Sequence, residues 1–139
     1  MTIQEKEQQI IDEFANFDEW LDKYAYLIDL GKDCPVIDEK DKTDANLIRG
    51  CQSRVWLSCR YEDGHLYFRA DSDAVITRGI ISLLIRALDG HTPQEILDAD
   101  LAFIEAIGLK EHLSPTRSNG LTSMVKQMKM YALAYKMKG

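Results

Sequence analysis

The feature that most constrains the fold of this chain is a pair of alternating segments joined by a two-residue turn. Residues 54–61 alternate apolar side chains with mostly polar ones at the period of a β-strand, and Asp63-Gly64 is a strong signal for a tight hairpin turn. Folding about this turn predicts three pairs on one face: Tyr61 with Leu66, Cys59 with Phe68, and Leu57 with Ala70. A shift of one residue would mix the two faces, so the pattern specifies the register.

A hairpin alone is marginally stable in water, so the fold requires a third strand or a covering helix. Residues 75–88 form the most apolar segment of the chain and predict a central core helix laid against the hairpin. Its polar residues form a narrow strip: Arg78, Ser82 and Arg86. We expect Asp71 or Ser72 to cap this helix and Gly90 to end it.

An apolar stripe at steps of three and four residues predicts helical structure before the hairpin. The stripe consists of Ile10, Phe14, Phe17, Leu21, Tyr24 and Ile28. Asn16 or Asp18 would cap a second helix within it, and Gly31 would end the helical region.

Three more helices are predicted after the core helix. Residues 92–95 form a capping box, residues 101–107 a short helix, and Ser114-Pro115 opens the last one. A polar, highly charged loop is expected over residues 32–45. Because the strands come in one block, the predicted class is α+β, a small antiparallel sheet packed against several helices, with residues 1–139 as a single domain.

The charge is distributed unevenly along the chain. The net charge of −6 argues against a general nucleic-acid binder. Residues 1–46 carry 5 basic and 13 acidic residues, whereas residues 47–139 carry 12 and 10. Two interpretations stay open: solvated helix faces of opposite sign, or an acidic face that steers a protein partner.

The sequence predicts neither a membrane segment nor a targeting signal. Its longest apolar stretch, residues 79–85, is too short to cross a bilayer. The polar segment 1–9 contains two glutamates and differs from a secretory or transit peptide. We therefore expect a cytoplasmic protein.

Three cysteines are present, and they have different settings. The odd count and the lack of a C-x-x-C spacing favour neither a disulfide framework nor a zinc site. Cys59 falls mid-strand on the apolar face, where cysteine acts as a small hydrophobe, and Cys34 lies in the charged loop without an evident role. Cys51 follows Gly50 at the tip of a loop that would present its thiol. This setting alone leaves open a functional thiol or a half-buried structural one.

Arg117 is the second residue that stands out. It falls in the first turn of the last helix, where a cation meets the positive end of the helix dipole. Its spacing places it on the apolar face of that helix, pointing inward. The alternative is an ordinary salt bridge to a carboxylate such as Asp71 or Asp73.

Four segments, taken in order along nearly the whole chain, resemble the SufE family of sulfur acceptors for iron–sulfur cluster assembly. They are Gly50–Leu57, Ala70–Ala74, Ile76–Gly79 and Ser114–Leu121. The patterns Gly-Cys-x-Ser-x-Val-Trp and Ser-Pro-x-Arg-x-Asn-Gly are short individually but specific together.

The resemblance implies a fold similar to that of the cluster scaffold IscU, and a role in sulfur transfer. In such proteins a PLP-dependent cysteine desulfurase of the SufS type passes sulfur to the cysteine that matches Cys51, and an iron–sulfur scaffold of the SufB type receives it. Arg117 matches the arginine of the family. The expected protein is a sulfur carrier and desulfurase activator rather than a stand-alone enzyme. It has no cofactor of its own, since PLP belongs to the desulfurase, and no nucleic-acid or membrane partner.

Two other functions stay open from the residues. One is a metal or iron–sulfur scaffold of the IscU type that uses Cys51, Cys59 and a histidine. The other is a cysteine hydrolase with a histidine base, which requires His65, His91 or His112 within hydrogen-bond reach of Cys51. The histidines show no metal-ligand spacing, and surface or capping roles are their simplest interpretation.

Overall fold

A computed structural model describes residues 1–138 and shows two helices, a hairpin and five further helices within that range. In order these elements are α1 (Ile3–Phe14), α2 (Trp20–Leu30), β1 (Val55–Glu62), β2 (His65–Ser72), α3 (Val75–Leu88), α4 (Pro93–Asp98), α5 (Phe103–Ala106), α6 (Leu109–His112) and α7 (Pro115–Lys138). The predicted α+β class is confirmed.

The hairpin has the register that the alternating pattern predicts, with Cys59 opposite Phe68 and Leu57 opposite Ala70. Both turn residues adopt positive φ, 51° for Asp63 and 81° for Gly64, as a type I′ turn requires. Among the described residues no third strand joins the pair. Single bridges from loop residues extend it instead: Val36 with Ala70, Leu47 with Trp56, and His91 with Leu66.

Helix α3 supplies the cover that the hairpin needs. Nearly all of its side chains are buried, including Ile80, Ile81 and Leu84, each at most 1% exposed. Burying a side chain of this size contributes roughly 1.5–3 kcal/mol. Helix α2 crosses α3 at Gly79, where an added Cβ would lie 2.3 Å from the backbone oxygen of Leu27. The central position of α3 is therefore fixed by burial and by this close crossing.

The N-cap expected for α3 is wrong, whereas the expected end at Gly90 agrees with the structure. Asp71 and Ser72 belong to β2, and the N-cap position is Ala74, which offers no side-chain cap. The carboxylate of Asp71 binds cations elsewhere, as described below. Ser72 still assists, because its hydroxyl accepts the N–H of Ala74. At the other end Asp89 is the C-cap, and Gly90 follows at a φ of 77°.

The amino-terminal stripe forms two helices, as one of its interpretations predicts. The cap of the second is Glu19, without a side-chain bond, rather than Asn16 or Asp18. Leu21 departs from the predicted stripe, since it is 77% exposed while Leu27 is fully buried. The break between α1 and α2 rotates the second helix, so one continuous stripe cannot describe both.

The later short helices differ in detail from the sequence pattern. The capping box of α4 is confirmed, with Thr92 and Glu95 exchanging hydrogen bonds. The helix expected over 101–107 is shortened to α5, and α6 is an additional helix that the pattern does not predict. Gly108, at a φ of 75°, serves as the N-cap of α6.

The charged loop between α2 and β1 follows the body of the protein through three single turns of 3-10 helix, at Gly31–Asp33, Glu39–Asp41 and Asp44–Asn46. Buried Cys34 and Ile37 anchor it beside β2. None of the helices formed by residues 1–138 is long and apolar enough to span a membrane.

Candidate functional site

The loop that carries Cys51 is closed at its base by the backbone. Ile48 donates its N–H to the oxygen of Val55 at 2.8 Å, beside the bridge between Leu47 and Trp56. We call this pairing the neck of the loop. Residues 49–54 lie beyond it and make no named strand or helix.

Gly50 gives the loop its bend. Its φ of 93° lies in the region that favours glycine, and a Cβ there would stand 2.5 Å from the Ser123 hydroxyl oxygen of α7. The loop thus rests on α7 at a point where both its backbone conformation and its close approach require glycine.

Cys51 lies against the same helix. Its thiol donates a weak hydrogen bond to the backbone oxygen of Gly120, with Sγ and O 3.6 Å apart. A Cβ on Gly120 would stand 3.4 Å from Sγ, so the helix offers a shallow seat for the sulfur. Cys51 is half-buried, so its thiol is less exposed than its place at the tip of a loop suggests. Burial raises the pKa of this thiol, so it is protonated at neutral pH.

A small cavity of about 70 Å³ adjoins the thiol. Its walls are Cys51, Gln52, Ser53, Thr77, Ile80, Thr116, Arg117, Gly120 and Met124. A cavity of this volume is large enough to admit a water molecule or an atom of similar size. The loop itself, α3 and α7 supply these walls.

The larger cavities lie elsewhere. One of them, about 560 Å³, is an open groove between α7 and the α4–α5 connection, and neither cysteine nor histidine lines it. Cavity volume alone would therefore select a region of the protein that contains no thiol.

Arg117 shares the cavity of Cys51, but it does not point inward as expected; it is exposed. Its guanidinium donates to the hydroxyl of Tyr24 on α2 and lies over the ring of that tyrosine, 5.9 Å from the centroid. No carboxylate lies within 4.0 Å of it among residues 1–138, so the alternative of a salt bridge is also wrong. The sequence pattern places Tyr24 in the apolar stripe and does not indicate this contact.

The two aspartates proposed as partners of Arg117 have other partners. Asp71 pairs with Lys42 at 2.7 Å and with Arg78 at 3.0 Å. Burial alone would raise the pKa of Asp71, but the bonds from Lys42 and the Ser72 N–H, with the charge of Arg78, hold it below its ordinary value.

Asp73 fastens the strand side of the loop. Its carboxylate accepts the N–H of Arg54 at 3.1 Å, and its own N–H reaches the oxygen of Arg54 at 3.3 Å. The segment of Cys51 is thus held on one side by Asp73 and on the other by the neck.

The other two thiols are more strongly shielded. Burial, with a contribution from the negative charge of Asp71, raises the pKa of Cys34 to about 11. Burial, with a contribution from Asp89, raises the pKa of Cys59 to about 12. Cys59 lies on the hairpin opposite Phe68, as predicted.

The histidines have local partners. His65 contacts the oxygen of Asp63 at 2.8 Å, and His91 pairs with Glu95 at 3.5 Å. His112 stacks on Trp20, and neither it nor the other two lines the cavity of Cys51. Within the described part of the chain no three residues of the types His, Cys, Asp and Glu come together as a possible metal site.

The fold and this site define a class: a small α+β domain that carries one loop cysteine against a helix, beside a small cavity. The family model for SufE, described as an Fe-S metabolism associated domain, matches residues 8–132. The chain therefore belongs to the SufE family, as its motifs predict, and to a family of iron–sulfur metabolism.

Relatives agree with this assignment. The chain is 43% identical over 129 residues to a SufE-like protein of Rhizobium meliloti (strain 1021), covering 89% of this chain and 92% of that protein. It is 42% identical over 126 residues to a SufE-like protein of Rhizobium etli, covering 87% and 85%. The fold is similar to the solution structure of a hypothetical protein from Thermus thermophilus, with a TM-score of 0.76 at 19% identity, over 93% of this chain and 94% of that one.

Proposed function

We propose that this protein accepts sulfur as a persulfide on Cys51 from a PLP-dependent cysteine desulfurase of the SufS type, stimulates that enzyme, and delivers the sulfur to an iron–sulfur scaffold of the SufB type. The observation that carries the proposal is the seat of Cys51: a loop thiol beside a small cavity that is large enough to admit an added sulfur atom. Membership of the SufE family supports the same role.

The transfer is a thiol exchange on a persulfide. The thiolate of Cys51 attacks the outer sulfur of the donor persulfide, a new S–S bond forms on Cys51, and the donor S–S bond breaks. The donor cysteine leaves as a thiolate, and the proton of the Cys51 thiol passes to it or to solvent. One sulfur atom has moved and no external oxidant or reductant is consumed.

The resting structure protects the acceptor and must open before it reacts. Burial keeps the Cys51 thiol protonated, and α7 covers one side of it. When the loop leaves its seat, the thiol loses the burial that raises its pKa, so its thiolate fraction increases together with its reach. After transfer, the cavity can shelter the added sulfur from oxidation.

Arg117 is the second functional residue in this proposal. It lines the same cavity as Cys51, and its guanidinium has a tyrosine rather than a carboxylate as its side-chain partner. A cation without a neighbouring anion is available to stabilise the negative charge on sulfur while one S–S bond breaks and the other forms.

Mass spectrometry tests the proposal. The protein is incubated with the desulfurase and cysteine, and the Cys51 peptide is expected to gain the mass of one sulfur, which a reductant removes. Added sulfur confined to Cys34 or Cys59, or none at all, contradicts the proposal.

Amide exchange tests the opening of the loop. Residues 47–53 should exchange faster when the desulfurase is bound, while the β1–β2 ladder serves as the internal control. Equal exchange of the loop in both states contradicts the opening.

A further inference from the structure

Arg117 reaches across the molecule to a residue that lies 93 positions earlier in the sequence. Its guanidinium makes two kinds of contact with Tyr24: a hydrogen bond to the hydroxyl and a position over the ring. An aromatic ring attracts cations through the negative charge of its face. The hydroxyl oxygen of Tyr24 also accepts an N–H of the Arg117 guanidinium. Together, the two contacts define both the position and the direction of the guanidinium.

Two further rings brace Tyr24. Trp20, one helical turn earlier on α2, meets it edge to face, with centroids 6.4 Å apart at 88°. The other side of Trp20 stacks on His112, with centroids 4.4 Å apart at 17°. His112 in turn contacts the oxygen of Gly108 at 2.8 Å. We call Trp20, Tyr24 and His112 the aromatic bracket; it joins α2 and α6 to the first turn of α7.

The bracket holds a cation without neutralising it. Arg78 shows the contrast, because its guanidinium pairs with the carboxylate of Asp71. An exposed arginine with no partner would sample many rotamers and be found at the cavity only part of the time. A carboxylate would fix it but cancel its charge. A tyrosine fixes it and leaves the positive charge intact.

We propose that Tyr24 is a positioning residue for sulfur transfer: it holds the guanidinium of Arg117, a residue that lines the Cys51 cavity, with its charge free to meet the anionic sulfur. The proposal rests on the function proposed above. It assigns no chemical step to Tyr24, which acts through Arg117.

A double-mutant cycle measures this dependence. Sulfur transfer is followed with Tyr24→Leu, Arg117→Ala and the double variant. Tyr24→Leu should slow transfer about fivefold, in the range that a cation–π contact supports. The double variant should be no slower than Arg117→Ala alone. Tyr24→Phe, which keeps the ring, should give a smaller loss.

Tyr131→Phe is the matched control. It also removes a tyrosine hydroxyl with a distant partner, the backbone oxygen of Leu57 at 3.2 Å, but it does not touch Arg117. Transfer by this variant should equal that of the wild type. Wild-type transfer by Tyr24→Leu, or losses that multiply in the double variant, would overturn the positioning role.

A second measurement does not depend on sulfur chemistry. The ring of Tyr24 should shift the NMR resonances of the Arg117 side chain, and this ring-current shift should persist in Tyr24→Phe and disappear in Tyr24→Leu. Its absence from the wild type would overturn the positioning role directly. A wild type that shows the shift but takes no sulfur overturns the proposed function, whereas a protein that takes sulfur equally well without Tyr24 overturns this inference alone.

Discussion

Cys51 and Cys59 lie eight residues apart, both are half-buried, and burial raises the pKa of both. They differ in what must break to expose them. Cys59 is part of a β-ladder, and its backbone oxygen also accepts the hydroxyl of Tyr135 at 3.4 Å. Cys51 is held by one weak S–H···O bond on a loop beyond the paired strands. Burial alone therefore does not distinguish the proposed carrier thiol, Cys51, from the structural one, Cys59; the number of backbone contacts that must break to expose each thiol does.

Replacing each thiol in turn tests the difference between them most directly. Cys51→Ser should abolish sulfur acceptance and lower the free energy of unfolding less than Cys59→Ser does, because the half-buried side chain of Cys51 lies on a loop outside the β-ladder. The measurements are persulfide transfer and urea unfolding.

Cys59→Ser is the control for that experiment. It places a hydroxyl against apolar neighbours and should cost about 1–3 kcal/mol, with normal transfer per folded molecule. Transfer that survives in Cys51→Ser, or vanishes in a folded Cys59→Ser, would reverse the roles of the two thiols.

Gly50→Ala tests the seat of the loop. The positive φ alone should cost about 1–2 kcal/mol, and the contact with Ser123 should add to it. We expect lower stability and faster alkylation of Cys51, because the loop is forced off α7.

Gly64→Ala isolates the backbone part of this effect. Its φ of 81° is similar, but a Cβ there meets nothing within 4 Å. Combining Gly50→Ala with Ser123→Gly removes the contact with the Ser123 side chain. It should recover the part of the stability loss by which Gly50→Ala exceeds Gly64→Ala. Equal losses at both glycines would mean that α7 does not hold the loop.

Alkaline pH should weaken the fold through the shielded thiols. Above the ordinary thiol pKa of about 8.5, unfolded Cys34 and Cys59 lose their protons while the folded forms, with pKa values of about 11 and 12, keep theirs. The unfolded state is then favoured as pH rises, by at most about 1.4 kcal/mol per thiol and pH unit.

Urea midpoints between about pH 7.5 and 10, a range that spans the ordinary thiol pKa, measure this effect. The decrease of the urea midpoint with rising pH should be smaller in Cys59→Ser than in the wild type. A slope that does not change on removal of this thiol contradicts its shielding.

The smallest stability effect is expected at Arg117. Arg117→Ala removes an exposed cation from the positive end of a helix dipole, and losing its contact with Tyr24 should leave a net change within about 1 kcal/mol. Arg78→Ala should cost more, because it removes a partner of the shielded Asp71. Thermal unfolding compares the two variants. A larger loss at Arg117 would make it a stability residue.

The hairpin could be predicted because its signal is local. The positive-φ turn at Asp63-Gly64 and the two-residue period fix the pairing, and every predicted pair is present. The core helix follows from its composition in the same way. The N-cap of α3 could not be predicted from the local sequence. Asp71 is instead bound to Lys42 and Arg78, and these contacts form only when the charged loop is folded.

The candidate site is predictable in its residues but not in its geometry. Cys51 and Arg117 stand out in the sequence, and the structure brings both to one cavity. Cys51 contacts Gly120, 69 positions away, and Arg117 contacts Tyr24, 93 positions away. No local sequence pattern connects residues that are so far apart. The spacing of Trp20 and Tyr24, one helical turn apart, is the available signal, but core packing explains it equally well.

The neck of the Cys51 loop also sets a length. While Ile48 stays paired with Val55, about three residues connect this fixed point to Cys51. A fully extended chain covers about 3.4 Å per residue. The α-carbon of Cys51 can therefore sweep a radius of about 10 Å around a fixed anchor. In the proposed transfer, the donor protein must bring its own cysteine inside that radius, so the neck determines how closely the two protein surfaces have to dock.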